Sequence, residues 1–365
     1  MLQVLLVVTM ASIGGAAAGQ PRSSHSDSGP HSFGRMFHLP PFAAPSPEIT
    51  AALVALGQRG GAMDARDDLA AGPVALIVDP TLSANNRNND NQTAGLTFFG
   101  QFLDHDMTFD TKSRLGAPTN PRRASNARTP YFDLDSVYGD GFAGSPLLYD
   151  PVDRVKFRLE FGGLFEDLPR DAGGTAIIAD PRNDENLIIA GLQIALLRFH
   201  NHAVDIVRSE HPTWSPEEVF TEARRITTWH YQWVILHEVL PHFVGAAVVD
   251  DIMAQGPQFY TPASGHAFIP VEFQIVYRFG HSMVRPSYRA NFTGDHGGQF
   301  FAMLFEALSG SGEPKDLRGG FRSPRRFIGW QTFFRFPGFE ADVRPNKRID
   351  TKLSTPLFDL PLGAI

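Results

Sequence analysis

Within six residues, Gln101-Phe102-Leu103-Asp104-His105-Asp106, the chain sets out an amide, two carboxylates and an imidazole. A titratable imidazole among carboxylates is the equipment of proton transfer and of metal or cofactor binding. If the segment is helical, each residue turns about 100° from the last, so Gln101, Asp104 and His105 share one face. Asp106 then points well away from Asp104 and is free to serve a second site behind the helix. A solvated acidic helix end with an incidental histidine has the same composition, so the reading depends on the chemistry of more distant segments.

Three later segments carry complementary chemistry. Thr129-Pro130-Tyr131-Phe132-Asp133-Leu134-Asp135-Ser136 alternates hydroxyl, carbonyl and carboxylate oxygens, as short loops around a hard cation such as Ca²⁺ do. The hydroxyl of Thr129, the carbonyl of Tyr131, Asp133 and Asp135 can converge on one ion, with Asp106 filling a remaining place. The spacing is not that of an EF-hand, and an acidic turn leading into Val137-Tyr138-Gly139 is the alternative. Asp180-Pro181-Arg182-Asn183-Asp184-Glu185-Asn186 precedes a long apolar stretch. Asp184 or Asn183 is expected to cap the helix after it, with Glu185 near its positive end. That leaves Arg182, whose fixed cation suits a pocket where negative charge develops. In Val276-Tyr277-Arg278-Phe279-Gly280-His281-Ser282-Met283-Val284, an imidazole sits in an apolar run three residues after an arginine. This suits an axial metal ligand beside an anion-pairing group. The chain has 13 histidines, and spacing alone does not select His281.

Taken together and in this order, the four segments closely resemble the animal-type haem peroxidase superfamily, from about Gly34 to the C-terminus. The resemblance implies a mainly α, single-domain fold with helices around a buried haem, long irregular loops and little β. It makes His105 the distal acid-base, Gln101 its companion and Arg182 the distal arginine. His281 matches the proximal ligand of the haem iron, and Arg278 matches a residue near a haem propionate. Asp104 and Glu185 match carboxylates that become ester-linked to haem methyl groups in mammalian members. Asn186 stands where one member has a haem-bonded methionine, so that bond is not available here. Asp106, Thr129, Tyr131, Asp133 and Asp135 match the calcium ligands, with Asp135 in place of a serine.

The implied cofactors are haem b, with or without ester links, and Ca²⁺. The implied partners are hydrogen peroxide and a small-molecule electron donor. The implied reaction reduces peroxide through a ferryl intermediate and oxidises small organic or anionic donors. Two alternatives stand beside it: a haem fatty-acid dioxygenase of the same superfamily, with Tyr277 as the candidate radical former, and a non-catalytic haem-binding protein. In the family a later helix supplies an asparagine to the proximal histidine's N–H. The sequence reaches Leu360-Pro361-Leu362-Gly363-Ala364-Ile365 before such a segment, so residues 34–365 are expected to form the haem domain without it.

Composition agrees with this frame. At 365 residues and 42% hydrophobic, the chain is long enough for a sizeable core. His105, Arg182 and His281 must surround one haem, which argues for one domain. With 32 basic against 39 acidic residues, nothing recommends nucleic acid as a partner. The absence of cysteine excludes disulfides, thiolate ligation of haem and Cys-ligated zinc or iron–sulfur sites, and it fits a bacterial-type relative. Residues 1–33 read as a signal-like segment and flexible leader. An apolar stretch from Leu2 to Met10 precedes small residues at Ala16-Ala17-Ala18-Gly19-Gln20, which points to a secreted or extracytoplasmic protein. No lysine or arginine precedes Arg22, so a cytoplasmic location stays open. No run reads as an integral membrane span. Helices are expected over 186–211, from Ser215-Pro216-Glu217-Glu218 to about Val239 before Pro241, and over 275–284. The run Phe333-Phe334-Arg335-Phe336-Pro337-Gly338-Phe339 is expected to pack in the core.

Overall fold

A computed structural model of the chain describes residues 31, 33–37, 40–83, 85–113, 124–161, 165–260, 262, 267–295, 297–307 and 313–360. The signal-like stretch before residue 31 and the last five residues lie outside the described residues. The protein is 45% helical and 13% strand, and its described strands form four two-stranded sheets. In chain order the elements that matter here are β1 (Phe33–Gly34), α1 (Pro47–Gly57), α2 (Gly72–Val78), β2 (Asn88–Thr93) and α3 (Ala94–Met107). After β3 (Glu160–Phe161) and β4 (Glu166–Asp167) come the long helices α4 (Leu187–Glu210) and α5 (Pro216–Val234), then α6 (Ala246–Gln255). The chain continues through β5 (Ile269–Pro270), α7 (Val271–Tyr277), the hairpin β6 (Ser287–Asp295) and β7 (Gly298–Met303), and β8 (Pro345–Lys347).

Local sequence explains where the long helices begin. The Asn186 side chain accepts from the backbone N–H groups of Ile188 and Ile189 and starts α4. Ser215 and Glu218 form a reciprocal capping box at α5, with Pro216 in the first turn. The α4 cap is therefore Asn186, not Asp184 or Asn183. Residues Pro181–Asp184 form a 3₁₀ turn before the helix, which carries Asp184 to Arg170 and turns Asn183 into the interior. By length and composition α4 could cross a membrane. Its Leu187, Ile188, Ile189, Leu197 and Val204 are instead buried in the core.

α3 packs on α4, and α4 packs along α5. Phe102 of α3 has no exposed surface. It meets Tyr231 of α5 edge-on at 6.4 Å between ring centroids, and Phe132 meets the same ring at 6.1 Å. Phe98, on another face of α3, meets Tyr288 of β6 at 5.4 Å. The helix is thus gripped from several sides. At Gly95, in its first turn, an added Cβ would lie 2.5 Å from the Phe334 ring and 2.7 Å from the Phe333 carbonyl.

The structure departs from the sequence expectation in three further places. The α5 helix does not end before Pro241. It widens into a π turn at Ile235–Val239 and continues as Leu240–Val244, because Pro241 lies at the start of that segment, where its missing N–H costs little. The segment over 275–284 is α-helical only to Tyr277 and tightens into a 3₁₀ turn at Arg278–Met283. Of the phenylalanine run, Phe333 is fully buried, but Phe336 and Phe339 are 44% and 49% exposed.

A second buried cluster surrounds His200, which has no exposed surface. Its Nε2 lies 2.9 Å from the Val155 carbonyl and its Nδ1 2.9 Å from the Tyr138 hydroxyl. A carbonyl can only accept, so Nε2 carries a proton, and in the neutral ring Nδ1 accepts from the Tyr138 hydroxyl. Burial pushes its pKa down to about 4, while the unfolded imidazole titrates near 6.5. Between these values the unfolded state binds more protons. Stability from this group is therefore complete above about pH 6.5, falls with pH to about 4, and then levels off, a loss of about 3 kcal/mol. Thermal unfolding followed from pH 7 to pH 4 should show this slope, and His200→Gln should flatten it in part. Identical slopes in both proteins would contradict the assignment.

Candidate functional site

A cavity of about 930 Å³ opens beside α3 and gathers side chains from three distant segments. α3 contributes Gln101, Asp104 and His105; the turn before α4 contributes Arg182 and Glu185; the turn after α7 contributes Arg278 and His281. Apolar walls come from Leu240, Phe243, Phe279, Leu304 and Phe305, among others. Mostly apolar lining with a few converging polar groups is the usual character of a cofactor or substrate pocket.

His105 is 4% exposed, and its Nδ1 lies 2.9 Å from Oδ1 of Asn183. The Asn183 amide is oriented from its other side, where Nδ2 donates to Gln193 Oε1 at 2.9 Å. Oδ1 therefore accepts, the His105 proton resides on Nδ1, and Nε2 keeps its lone pair. Burial, then the nearby Arg182 charge, pushes this imidazole down to about 4. It is a neutral base at ordinary pH. Asn183 was not among the expected site residues, because an asparagine just before a helix reads as a cap.

Arg182 donates to both oxygens of Asp180 and, through Nη2, to the His105 carbonyl at 3.0 Å. Its guanidinium lies over the Phe109 ring, 4.3 Å from the centroid. Asp180 is fully buried and also takes Arg128 Nη2 at 2.6 Å. Burial raises its pKa, but the hydrogen bond and charge of Arg182 and the charge of Arg128 outweigh it and hold the carboxyl at about 2. Glu185 lies against Gln101 through a hydrogen bond to Oε1, and burial pushes its pKa up to about 7.

On the other segment, His281 Nδ1 lies 3.0 Å from the Arg278 carbonyl. The carbonyl again fixes the proton on Nδ1 and leaves Nε2 able to bind a metal. Arg278 is ion-paired with Asp104 and donates to Gln274 Oε1 at 3.0 Å. Among the described residues neither Nε2 has a hydrogen-bond partner, so two imidazoles with available Nε2 atoms line one largely apolar cavity, a donor set that fits a haem.

Behind α3 lies a separate acidic cluster. One carboxylate oxygen each from Asp106, Asp133 and Asp135 lie within 4.8 Å of one another. Asp106 is fully buried, accepting from the Ser136 hydroxyl at 2.9 Å and the Leu134 N–H at 3.2 Å. The Thr129 hydroxyl donates to Asp133 at 3.0 Å, and its N–H to Asp135 at 3.1 Å. Oδ1 of Asp135 is buried with no hydrogen-bond donor, 3.7 Å from Arg128 Nε. Burial and the neighbouring carboxylates push Asp106 well above the usual range and Asp135 to about 7. A cation among them would reverse both effects. Tyr131 lies in the same loop.

Known proteins resemble this chain in sequence and in fold. The family profile described as animal haem peroxidase matches residues 110–309, more than half of the chain. The chain belongs to this family of haem proteins. It is 32% identical over 142 residues to a dual oxidase of Drosophila melanogaster, covering 39% of this chain and 8% of that one. It is 30% identical over 203 residues to peroxidase mlt-7 of Caenorhabditis elegans, covering 50% and 26%. Peroxidase A of Dictyostelium discoideum shares the fold with a TM-score of 0.52 at 18% identity, over 76% of this chain and 60% of that one. The chain thus spans only a fraction of the length of these curated relatives.

The Asp180 geometry sets a stability test. Asp180→Ala leaves Arg128 and Arg182 close together without their shared counter-charge, and loss of one partner from a buried ion pair costs about 3–5 kcal/mol. Urea unfolding of the variant should show a loss of this size, with Asp180→Asn between it and the parent. A loss below about 1 kcal/mol would show that the two guanidiniums do not depend on this carboxylate.

Proposed function

We propose that this chain is a haem-dependent peroxidase that reduces hydrogen peroxide and oxidises small organic or anionic donors. The observation that carries this reading is the pair of tied imidazoles: His105 and His281 line one cavity, each with Nδ1 engaged and Nε2 free. His281 would hold the haem iron through Nε2, and Arg278 would pair with a propionate. When bound, haem supplies the redox chemistry that the amino acids lack. His105 then accepts a proton at Nε2 from one oxygen of hydrogen peroxide and delivers it to the other, which leaves as water. Arg182, held in place by Asp180, offsets the negative charge that develops as the O–O bond lengthens. Gln101 and the Glu185 carboxyl frame the same wall. Asp104 and Glu185 are the candidates for ester links to haem, and before any such link they are engaged by Arg278 and Gln101.

The Arg278 carbonyl accepts from the His281 Nδ1–H. Such an acceptor strengthens the imidazole as a ligand and holds its orientation. A fatty-acid dioxygenase reading rests on Tyr277, which lines the cavity and donates from its hydroxyl to the Gly100 carbonyl at 2.7 Å. Incubation with an unsaturated fatty acid and oxygen, without peroxide, separates the two activities.

For the acidic cluster we propose a calcium site of Asp106, Asp133, Asp135, the Thr129 hydroxyl and the Tyr131 carbonyl. It would anchor the back of α3, one residue from His105.

Three experiments test these assignments. In the haem-loaded chain, peroxide-dependent oxidation of a simple phenol should fall by about a hundredfold or more in His105→Leu while the haem spectrum persists. His281→Ala should lose the axial-ligand signature of the Soret band. An unaltered spectrum in His281→Ala would assign the iron to another histidine. Chelation of calcium should lower the melting temperature and the activity together, and re-addition should restore both. Active protein containing no calcium by metal analysis would rule the site out.

A further inference from the structure

On a different part of the surface, a cleft of about 500 Å³ lies between the end of α2, β2 and the segment around β8. It shares no lining residue with the cavity beside α3. Three arginines line it, Arg87, Arg344 and Arg348, against one carboxylate, Asp90. The whole chain carries a formal net charge of −7, so this concentration of cations runs against the overall balance.

The arginines are not consumed by the fold. Among the described residues Arg344 Nε is buried with no hydrogen-bond partner, and burial holds the pKa of this guanidinium below its usual value. No ion pair among the described residues includes Arg87, Arg344 or Arg348. Among these residues Arg348 makes a single side-chain hydrogen bond, from Nε to the Asn88 carbonyl at 2.8 Å. Arg87 and Arg348 are exposed, whereas Arg344 is half-buried, and a guanidinium so placed without an anion is costly to keep.

The floor is held rigidly. The buried Arg285 donates to Asn86 Oδ1 at 2.6 Å and to Asn88 Oδ1 at 2.9 Å. This fixes both amides and leaves the Asn88 amide nitrogen as a further donor. Arg285 also binds the carbonyls of Pro345 and Asn346, both at 2.9 Å, which holds the backbone next to Arg344. Leu76, Ile77, Val78 and Pro80 line the same cleft and give it an apolar side.

We propose that this cleft is a binding site for an organic phosphate: a doubly charged oxyanion head between Arg344, Arg348 and Arg87, with an apolar body against Leu76, Ile77, Val78 and Pro80. Three guanidiniums against one carboxylate leave two net positive charges, which matches a phosphate monoester dianion better than a carboxylate. The cleft is also larger than a free phosphate ion needs. The proposal does not depend on haem or on peroxidase activity.

Calorimetric titration of the 365-residue chain with phenyl phosphate provides the test. Saturable binding is expected, at least tenfold tighter than for inorganic phosphate and absent with chloride at equal ionic strength. Arg344→Gln should weaken it at least tenfold. Because Arg344 is partly buried, the double variant Arg87→Gln with Arg348→Gln supplies the same test where folding is not at risk. Undiminished binding in the double variant would place the anion elsewhere, such as against Arg182, and overturn the proposal. Equal affinity for inorganic phosphate and phenyl phosphate would overturn the organic class, and absence of saturable binding would overturn the site.

Discussion

A single carboxylate, that of Asp180, lies fully buried between two guanidiniums and through them joins two regions of the molecule. Arg182 leads to the cavity and to the backbone of His105. Arg128 leads to the acidic loop, adjoining Thr129 and lying within ion-pair distance of Asp135. Burying one negative and two positive charges is tolerable only with close geometry and complete hydrogen bonding. The 3₁₀ turn at Pro181–Asp184 meets part of that demand by letting Asp180 accept from the Arg182 N–H as well as its side chain. The position of Arg182 is thus set by charge neutralisation in the interior as well as by packing at the cavity wall.

α3 is where these constraints meet. It turns an apolar side toward Tyr231 and Tyr288, a polar side toward the cavity, and one acid toward the loop behind it. The angular spacing of Gln101, Asp104, His105 and Asp106 made that division legible from the sequence, as did the apolar period of α4 and the capping box of α5. Less accessible were contacts that depend on distance along the chain. Asn183 meets His105 across 78 positions, and Arg128 meets Asp180 across 52; no local pattern encodes either pair. The cap at α4 was misplaced for a related reason. Asn183, Asp184 and Asn186 have similar local capping ability, and only the tertiary partners of the first two remove them from competition. The switch from α to 3₁₀ after Tyr277 was likewise invisible to an apolar period, although it sets the direction of His281.

The two imidazoles facing the cavity are oriented by different means. Asn183 holds His105 through a side chain that is itself anchored on α4 by Gln193. His281 is held by a carbonyl of its own turn, so its orientation depends on local backbone conformation. The first arrangement couples an imidazole to the packing of two helices, whereas the second couples one to a six-residue 3₁₀ segment.

The π turn at Ile235–Val239 has a consequence for how this cavity can diversify. A π turn holds one residue more than an α turn, so it absorbs that residue locally and leaves the facing of the helix beyond it nearly unchanged. Here the downstream residues Val239, Leu240, Phe243 and Val244 line the cavity. A residue gained or lost at this turn can therefore be absorbed without displacing the wall side chains beyond it, so the lining changes by substitution while the length of the helix beneath it is free to drift.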